Sequence, residues 1–223
     1  MKPVVVVLAA PSGSGKTTIA RTLIARWPEK YGFSVSATTR PPRRGERDGE
    51  AYYFLSRDEF LRRRGAGEFL EWAEYAGELY GTLRREVDRV LGAGRHVLLD
   101  IEVQGARQVR RHYPPPASVA VFILPPGGQE LVRRLGGRRT ESAQEMAKRL
   151  DTAVQELRQA PAFDHIVVND DLTAAVAEVN SIIDAAPEAR ARRSAATQAG
   201  RIETLIQELA VETDRLRKSE ETR

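Results

Sequence analysis

Residues 4–23, VVVVLAAPSGSGKTTIARTL, decide how the rest of the chain is interpreted. Residues 4–9 form a continuous apolar run, which is typical of a parallel strand covered on both faces. Residues 17–27 are predicted to form a helix that ends near Pro28. A turn of small residues connects the two elements. The order of strand, small-residue turn and helix predicts the first unit of a parallel α/β sheet.

The turn matches the phosphate-binding loop pattern G-x-x-x-x-G-K-[ST], except that Ala10 stands at the first glycine. Glycine backbone can direct N–H groups at a phosphate, and the helix start adds its positive dipole end. In this pattern Lys16 reaches the β- and γ-phosphates and the Thr17 hydroxyl coordinates Mg²⁺. An ordinary tight turn is the alternative, but the strand–helix context favours a nucleoside triphosphate. The candidate ATP-binding residues are Ala10, Pro11, Ser12, Gly13, Ser14, Gly15, Lys16, Thr17 and Thr18.

Strand and helix signals continue to alternate along the chain. Further strands are predicted at residues 96–103, 118–126 and 165–170, and helices at 83–91, 104–111, 146–159 and 172–184. This alternation predicts an α/β domain whose parallel sheet is flanked by helices. The predicted core comprises residues 1–34, 87–126 and 158–186, interrupted by insertions at 35–86 and 127–157.

The tail, residues 187–223, has no strand signal. Ile202, Leu205, Leu209 and Leu216 fall close to heptad spacing, although Glu212 interrupts the stripe. We therefore expect a helical or flexible tail, solvated or loosely packed. A dimerising helix is the alternative.

Composition limits the possible functions. The 223 residues contain no cysteine, which excludes disulfides and thiolate metal sites and fits a cytoplasmic protein. No apolar run approaches the roughly 20 residues of a membrane helix, so no membrane association is expected. The net charge of +4 suits an anionic ligand and is too small to indicate nucleic acid binding.

Several charged residues of the insertions and strand ends are candidates for phosphate or base recognition. Arg40, Arg43 and Arg44 cluster around two prolines, and the arginine fork pairs with phosphate oxygens, although a solvated basic turn explains this stretch equally well. Glu71 offers a carboxylate, which complements the adjacent N1–H and 2-amino donors of guanine, although this segment by itself favours a surface glutamate on a helix. Asp100 ends a predicted strand, where an acid near a phosphate loop commonly holds Mg²⁺ or its waters. Residues 127–157 contain a group of arginines that could close over a triphosphate: Arg133, Arg134, Arg138, Arg139 and Arg149.

Six segments in order resemble guanylate kinases over residues 3–185: APSGSGKTT, GFSVSATTRPPRRGERDGEAYYF, FLEWAEYAGELYGT, LLDIEVQGA, RRLGGRRTES and IVVNDDL. The resemblance implies a P-loop NTPase core with a GMP-binding insertion at 35–86 and a helical lid at 127–157. It also implies Mg²⁺-dependent transfer of the ATP γ-phosphoryl group to GMP, by a monomer or a homodimer.

The resemblance assigns roles to individual residues. Guanine contacts are expected from Ser36, Glu71 and Thr82, and GMP phosphate contacts from Arg40, Arg43, Tyr52 and Tyr80. Asp100 is expected near GMP and the metal, which it would hold with Thr17, directly or through water. Asn169 is expected near the adenine, and Arg134, Arg138 and Arg149 near the ATP phosphates. The expected catalytic residues are Lys16, Arg43, Arg138 and Arg149.

Two positions depart from the family pattern, with Glu102 in place of an aspartate and Arg139 in place of a lid glycine. Other functions remain possible on the sequence alone. A guanylate-kinase-like binding module would have lost the phosphate loop, which is present here. A kinase for another phosphorylated metabolite would lack Ser36, Glu71 and Thr82, and a nucleic-acid binder would carry a continuous basic stripe.

Overall fold

The protein is described by a computed structural model covering residues 2–75, 77–136, 142–185 and 195–221. Its elements, in chain order, are β1 Val5–Ala9, α1 Lys16–Arg26, β2 Tyr31–Phe33, β3 Ser36–Thr38, β4 Tyr53–Phe54, α2 Arg57–Gly65, β5 Phe69–Tyr75, β6 Glu78–Leu83, α3 Arg84–Gly92, β7 His96–Asp100, α4 Val103–His112, β8 Ser118–Leu124, α5 Gly128–Leu135, α6 Ala143–Leu157, a 3₁₀ turn Ala160–Ala162, β9 His165–Val168, α7 Leu172–Asp184 and α8 Ala195–Glu221.

The first sheet has five strands in the order β2-β7-β1-β8-β9. Every residue of β1 and of β8 is buried, as their unbroken apolar runs predict for parallel strands covered on both faces. The β2–β7 and β8–β9 pairs are parallel. The predicted α/β fold with a parallel sheet flanked by helices is therefore confirmed.

The second sheet has four strands in the order β4-β3-β6-β5 and lies within the predicted insertion. β6 pairs antiparallel with β3 on one side and with β5 on the other. Its apolar face packs on α2, where the rings of Phe60 and Phe69 stack 4.3 Å apart. Ser56 caps α2 by accepting a hydrogen bond from the Glu59 N–H.

The chain divides into two compact units. One unit contains Met1–Val7 with Leu23–Val119, and therefore the whole second sheet. The other contains Leu8–Thr22 with Ala120–Arg223, and therefore the small-residue turn, the predicted lid and the tail. We call these the insertion unit and the loop unit.

Helix α8 in the tail is well packed, which corrects the expectation of a solvated or loosely packed segment. Ile202, Leu205 and Leu209 are each at most 5% exposed. They pack within the loop unit, where α8 contacts α5, α6 and β9. The Glu208 carboxylate also accepts a 2.7 Å hydrogen bond from the Gly128 N–H at the start of α5. The near-heptad stripe thus serves packing inside this chain.

Several predicted boundaries differ from the structure, and two of them lie between β7 and α4. The strand predicted at 96–103 ends at Asp100, and the next helix already begins at Val103. Glu102 is the N-cap residue of that helix and does not belong to the strand. The rule that side chains two residues apart in a strand point to the same face therefore does not apply to Asp100 and Glu102. No helix in the described part of the chain is long and apolar enough to cross a membrane.

Candidate active site

The loop unit holds the phosphate-binding turn between the end of β1 and the start of α1. Gly13 and Gly15 have φ angles of +85° and +90°, which favour glycine over residues with a side chain. The Ser14 N–H donates to the Pro11 carbonyl at 3.1 Å, which tightens the turn. Lys16 is the first residue of α1 and is half-buried, and Thr17 and Thr18 follow it on the exposed first turn. Backbone of this kind, leading into a helix N-terminus, is suited to bind phosphate.

Asn169 follows β9 and supports this turn from a distant part of the sequence. Its side chain is 6% exposed, and its Nδ2 donates a 2.8 Å hydrogen bond to the Ser14 carbonyl. A Cβ on Gly15 would collide with the same amide nitrogen. The structure thus places Asn169 against the turn, a contact that the sequence patterns did not predict.

The arginines of the predicted lid make contacts within the loop unit. Arg133 and Arg134 both donate to the Glu130 carboxylate on their own helix, at 2.6 and 2.7 Å. These two hydrogen bonds lower the pKa of Glu130 to about 2. Arg149 on α6 donates to the Leu135 carbonyl at 3.2 Å. Arg138 and Arg139 lie outside the described residues.

In the insertion unit, the three predicted guanine-contact residues form one row across the second sheet. Ser36 of β3 pairs with Thr82 of β6, and Thr82 pairs on its other side with Glu71 of β5. Directly paired residues of neighbouring strands point to the same face of a sheet. Thr82 is fully buried and its hydroxyl donates to a Glu71 carboxylate oxygen at 2.6 Å. Glu71 itself is only 5% exposed.

A β-bulge in β5 creates this row. Phe69 pairs with Leu83, but Glu71 rather than Leu70 pairs with Thr82, so Leu70 is the extra residue. Without the bulge, Leu70 would lie opposite Thr82 and Glu71 would point to the other face, because side chains alternate along a strand. Bulges commonly redirect a side chain next to a functional site.

The predicted phosphate-contact residues lie together near the start of the insertion. The Arg40 guanidinium lies 5.4 Å from the Tyr52 ring centroid, and the Tyr52 and Tyr80 rings are 6.1 Å apart. Tyr80 also lies two residues before Thr82 in β6, and thus on the same face as the guanine row. Arg43 is exposed on the loop that follows Arg40.

Glu46 holds the Arg40 side chain and the Arg43 backbone, a role that the sequence analysis did not predict. Its carboxylate accepts a 2.9 Å hydrogen bond from the Arg40 side chain and a 2.7 Å bond from the Arg43 backbone N–H. The bond from Arg40 and then the bond from the Arg43 backbone hold the pKa of Glu46 below its ordinary value. The same pairing raises the pKa of Arg40.

Asp100 at the end of β7 belongs to the same surroundings. Burial, and after it the negative charge of Asp100, raises the pKa of the Tyr52 hydroxyl above its ordinary value. Glu102, two residues on, is exposed, and its side chain makes no capping hydrogen bond to α4. No group of three or more carboxylates or histidines suited to a metal ion occurs among the residues described.

The fold and the phosphate turn define a P-loop enzyme, and an insertion with a buried carboxylate is compatible with a nucleoside monophosphate kinase. The Guanylate kinase family matches residues 1–186 of this chain. The chain therefore belongs to the guanylate kinase family, and it catalyses the ATP-dependent phosphorylation of GMP to GDP.

Individual relatives agree with this assignment. A guanylate kinase of Symbiobacterium thermophilum is 47% identical over 210 residues, covering 94% of this chain and 96% of that protein. A guanylate kinase of Synechocystis sp. is 47% identical over 183 residues, covering 82% and 94%. The crystal structure of guanylate kinase from Anaplasma phagocytophilum is 32% identical, with a TM-score of 0.67, and the match covers 86% of this chain and 88% of that one.

Proposed function

We propose that Ser36, Thr82 and Glu71 bind the guanine base of GMP. The observation that supports this proposal is the bulge that places the Glu71 carboxylate opposite Thr82. Guanine presents N1–H and its 2-amino group side by side, and a carboxylate can accept both hydrogen bonds. Adenine presents an acceptor at N1, so a buried carboxylate disfavours it. The Thr82 hydroxyl, bonded to Glu71, fixes the orientation of that carboxylate.

We assign the GMP phosphate to Arg40, Arg43, Tyr52 and Tyr80. Guanidinium groups and phenol hydroxyls donate hydrogen bonds that match phosphate oxygens. The contacts of Glu46 with Arg40 and Arg43 hold this loop in place before substrate arrives. A site that is already ordered loses less conformational entropy on binding.

We assign the ATP phosphates to the turn of residues 10–18, with Lys16 as the cation that neutralises transferring charge. We expect Asn169 to lie near the adenine, and it supports the turn through its hydrogen bond to the Ser14 carbonyl. Arg134, Arg138 and Arg149 would add positive charge from the lid, where Arg134 must exchange its Glu130 partner for phosphate. Screening of charge by arginines is a common device in phosphoryl transfer.

Mg²⁺ is the metal that fits the residues present. The Thr17 hydroxyl and the Asp100 carboxylate are hard oxygen donors, and Mg²⁺ in such sites usually has only one or two protein ligands, with waters and phosphate oxygens completing its shell. When bound, the ion neutralises charge on the transferring phosphates. We expect the enzyme to act as a monomer or a homodimer in the cytoplasm, where its two nucleotides are available.

The reaction requires no nucleophile from the protein. The GMP phosphate is already ionised at neutral pH, so little general-base help is needed. The residues of the two units therefore serve to position nucleotides and to screen negative charge, the two largest contributions in this class of reaction.

The substitution Glu71→Ala tests the guanine assignment. We expect the Kd of GMP, measured by calorimetry, and the KM for GMP to rise by roughly 100-fold, because a charged hydrogen-bonding partner is lost from a buried site. The KM for ATP should stay within about twofold of the wild-type value. Glu74→Ala is the matched control, since Glu74 lies on the same strand and is exposed. Equal increases in both KM values would contradict the assignment.

A further inference from the structure

Gly105 lies in the first turn of α4, where a glycine is locally unfavourable. It is the third residue of a ten-residue helix and it is buried. Glycine in a helix costs about 1 kcal/mol relative to alanine, because it loses more backbone entropy on folding. The φ angle of Gly105 is not in the left-handed region, so the backbone does not require glycine here. The reason must lie in its surroundings.

The neighbour that occupies the space next to Gly105 is the Glu71 carboxylate. A Cβ atom at position 105 would lie 2.5 Å from Glu71 Oε2 and 3.1 Å from its Cδ. Ile101 Cδ1 would be 3.3 Å away, an approach that a small shift relieves. Only the carboxylate oxygen is so close that it must move to admit a Cβ atom. Because Thr82 holds the other carboxylate oxygen at 2.6 Å, Glu71 has contacts on both sides.

A second residue of α4 fixes the backbone beside Glu71. Gln108, one turn after Gly105, donates from Nε2 to the Trp72 carbonyl at 2.8 Å. Its Oε1 accepts a 3.3 Å hydrogen bond from the Trp72 N–H. The side-chain amide thus pairs with both backbone groups of the residue that follows Glu71. Helix α4 is thereby held against β5 at the position of the carboxylate.

We propose that Gly105 is a positioning residue for guanine recognition. It leaves the space in which the Glu71 carboxylate lies, while Gln108 keeps α4 at the distance that this contact requires. The inference rests on the proposed guanine-binding role of Glu71. It adds that the identity of residue 105 sets how well the site distinguishes guanine from hypoxanthine, which lacks the 2-amino donor.

Gly81 offers an instructive contrast. A Cβ there would lie 2.9 Å from the Glu71 backbone carbonyl and 2.7 Å from the Phe69 ring, so a substitution would distort the bulged strands themselves. At Gly105 the closest atom is the end of a side chain. Alanine at 105 should therefore displace the Glu71 carboxylate and leave the sheet in place.

The substitution Gly105→Ala tests the proposal. We expect the Kd of GMP to rise roughly 10- to 100-fold, the amount that a misplaced charged hydrogen bond costs, while the KM for ATP changes by less than about twofold. The preference for GMP over IMP, taken as a ratio of kcat/KM, should fall by a similar factor. Gly92→Ala is the control, because a Cβ at the end of α3 would meet no atom within 4 Å.

A double-mutant cycle separates positioning from a general effect on structure. In a Glu71→Ala background, Gly105→Ala should change GMP binding by less than about twofold, since the group on which it acts is gone. Equal effects of Gly105→Ala in both backgrounds would overturn the proposal. If Gly105→Ala does not fold, the double variant decides: recovery of folding supports the contact with Glu71, and failure to recover overturns it.

The same variants distinguish a failure of this proposal from a failure of the guanine assignment on which it rests. If Glu71→Ala leaves GMP binding unchanged, the assignment of Glu71 itself is wrong. If Glu71→Ala weakens GMP binding and Gly105→Ala does not, the assignment stands and the positioning role of Gly105 is wrong.

Discussion

The phosphate turn and the guanine row are built in different ways. The turn takes its backbone and side chains from nine consecutive positions, residues 10–18, and its shape follows from two glycines with positive φ angles. The row takes one residue from each of three strands, Ser36, Thr82 and Glu71, and depends on an extra residue in β5. The spacing of contiguous residues is enough to predict the turn, whereas the residues of the row were expected from the family resemblance and their alignment across three strands was not predicted.

The two sites also receive their support from different places. The turn is held by Asn169, which lies 155 positions after the Ser14 carbonyl that it contacts. The row is held by Thr82 within its own sheet and by α4 beside it. Substitutions in the turn or its support should therefore change the response to ATP, and those in the row or its support the response to GMP.

The largest expected effect is that of Lys16→Ala. We expect kcat to fall by roughly 1,000-fold or more, because a preorganised charge is removed from the transferring phosphates. The melting temperature should stay close to that of the wild type, since Lys16 is half-buried at a helix start and is not a core residue. Lys2→Ala, at an exposed position, is the control. Turnover near the wild-type rate would refute the assigned role.

Leu209→Ala should show that α8 is part of the loop unit. Leu209 is fully buried, so its truncation should lower the free energy of unfolding by about 2 to 5 kcal/mol, as measured by denaturant titration. Val211→Ala, on the same helix at 71% exposure, should have little effect. Similar stability losses for the two variants would mean that α8 is not packed as described.

Asn169→Ala gives the smallest of these effects and tests the support of the turn. Loss of the hydrogen bond to Ser14 leaves a buried carbonyl unpaired, so the KM for ATP should rise roughly tenfold. The KM for GMP should be nearly unchanged. Asn180→Ala is the control, because Asn180 lies on α7 and its side-chain amide donates a 2.9 Å hydrogen bond to Asp184 on the same helix. A larger change for GMP than for ATP would contradict the division of roles.

The sequence was sufficient to predict the α/β fold, because fully buried parallel strands leave unbroken apolar runs such as those of β1 and β8. The sequence patterns were less reliable for the residues at which strands and helices begin and end. The strand at 96–103 was predicted three residues too long, since Ile101 and Val103 continue the apolar pattern after the backbone has turned into α4. The packing of α8 could not be foreseen, because its apolar stripe fits a partner in the same chain or in another one equally well.

Within the candidate site, the motifs suggest which residues contact substrate but do not show which residues support them. Gly105 lies in the segment LLDIEVQGA, but its contact with Glu71, like that of Gln108 with Trp72, follows only from the packing of α4 beside β5. Glu46 does carry a sequence signal, since a carboxylate close to several arginines in RPPRRGE is a natural partner for them. No such signal marks the bulge at Leu70, whose effect depends on the pairing of two strands.

The most direct test of the account is a coupled assay of ADP release with ATP and Mg²⁺, in which GMP, AMP, CMP and UMP are compared for the wild-type enzyme and for Glu71→Ala. We predict that the wild type uses GMP with a kcat/KM at least about 100-fold above that for the other three, and that Glu71→Ala loses most of this preference while its KM for ATP is retained. Undiminished selectivity for GMP in Glu71→Ala would contradict the claim that the bulged row recognises guanine.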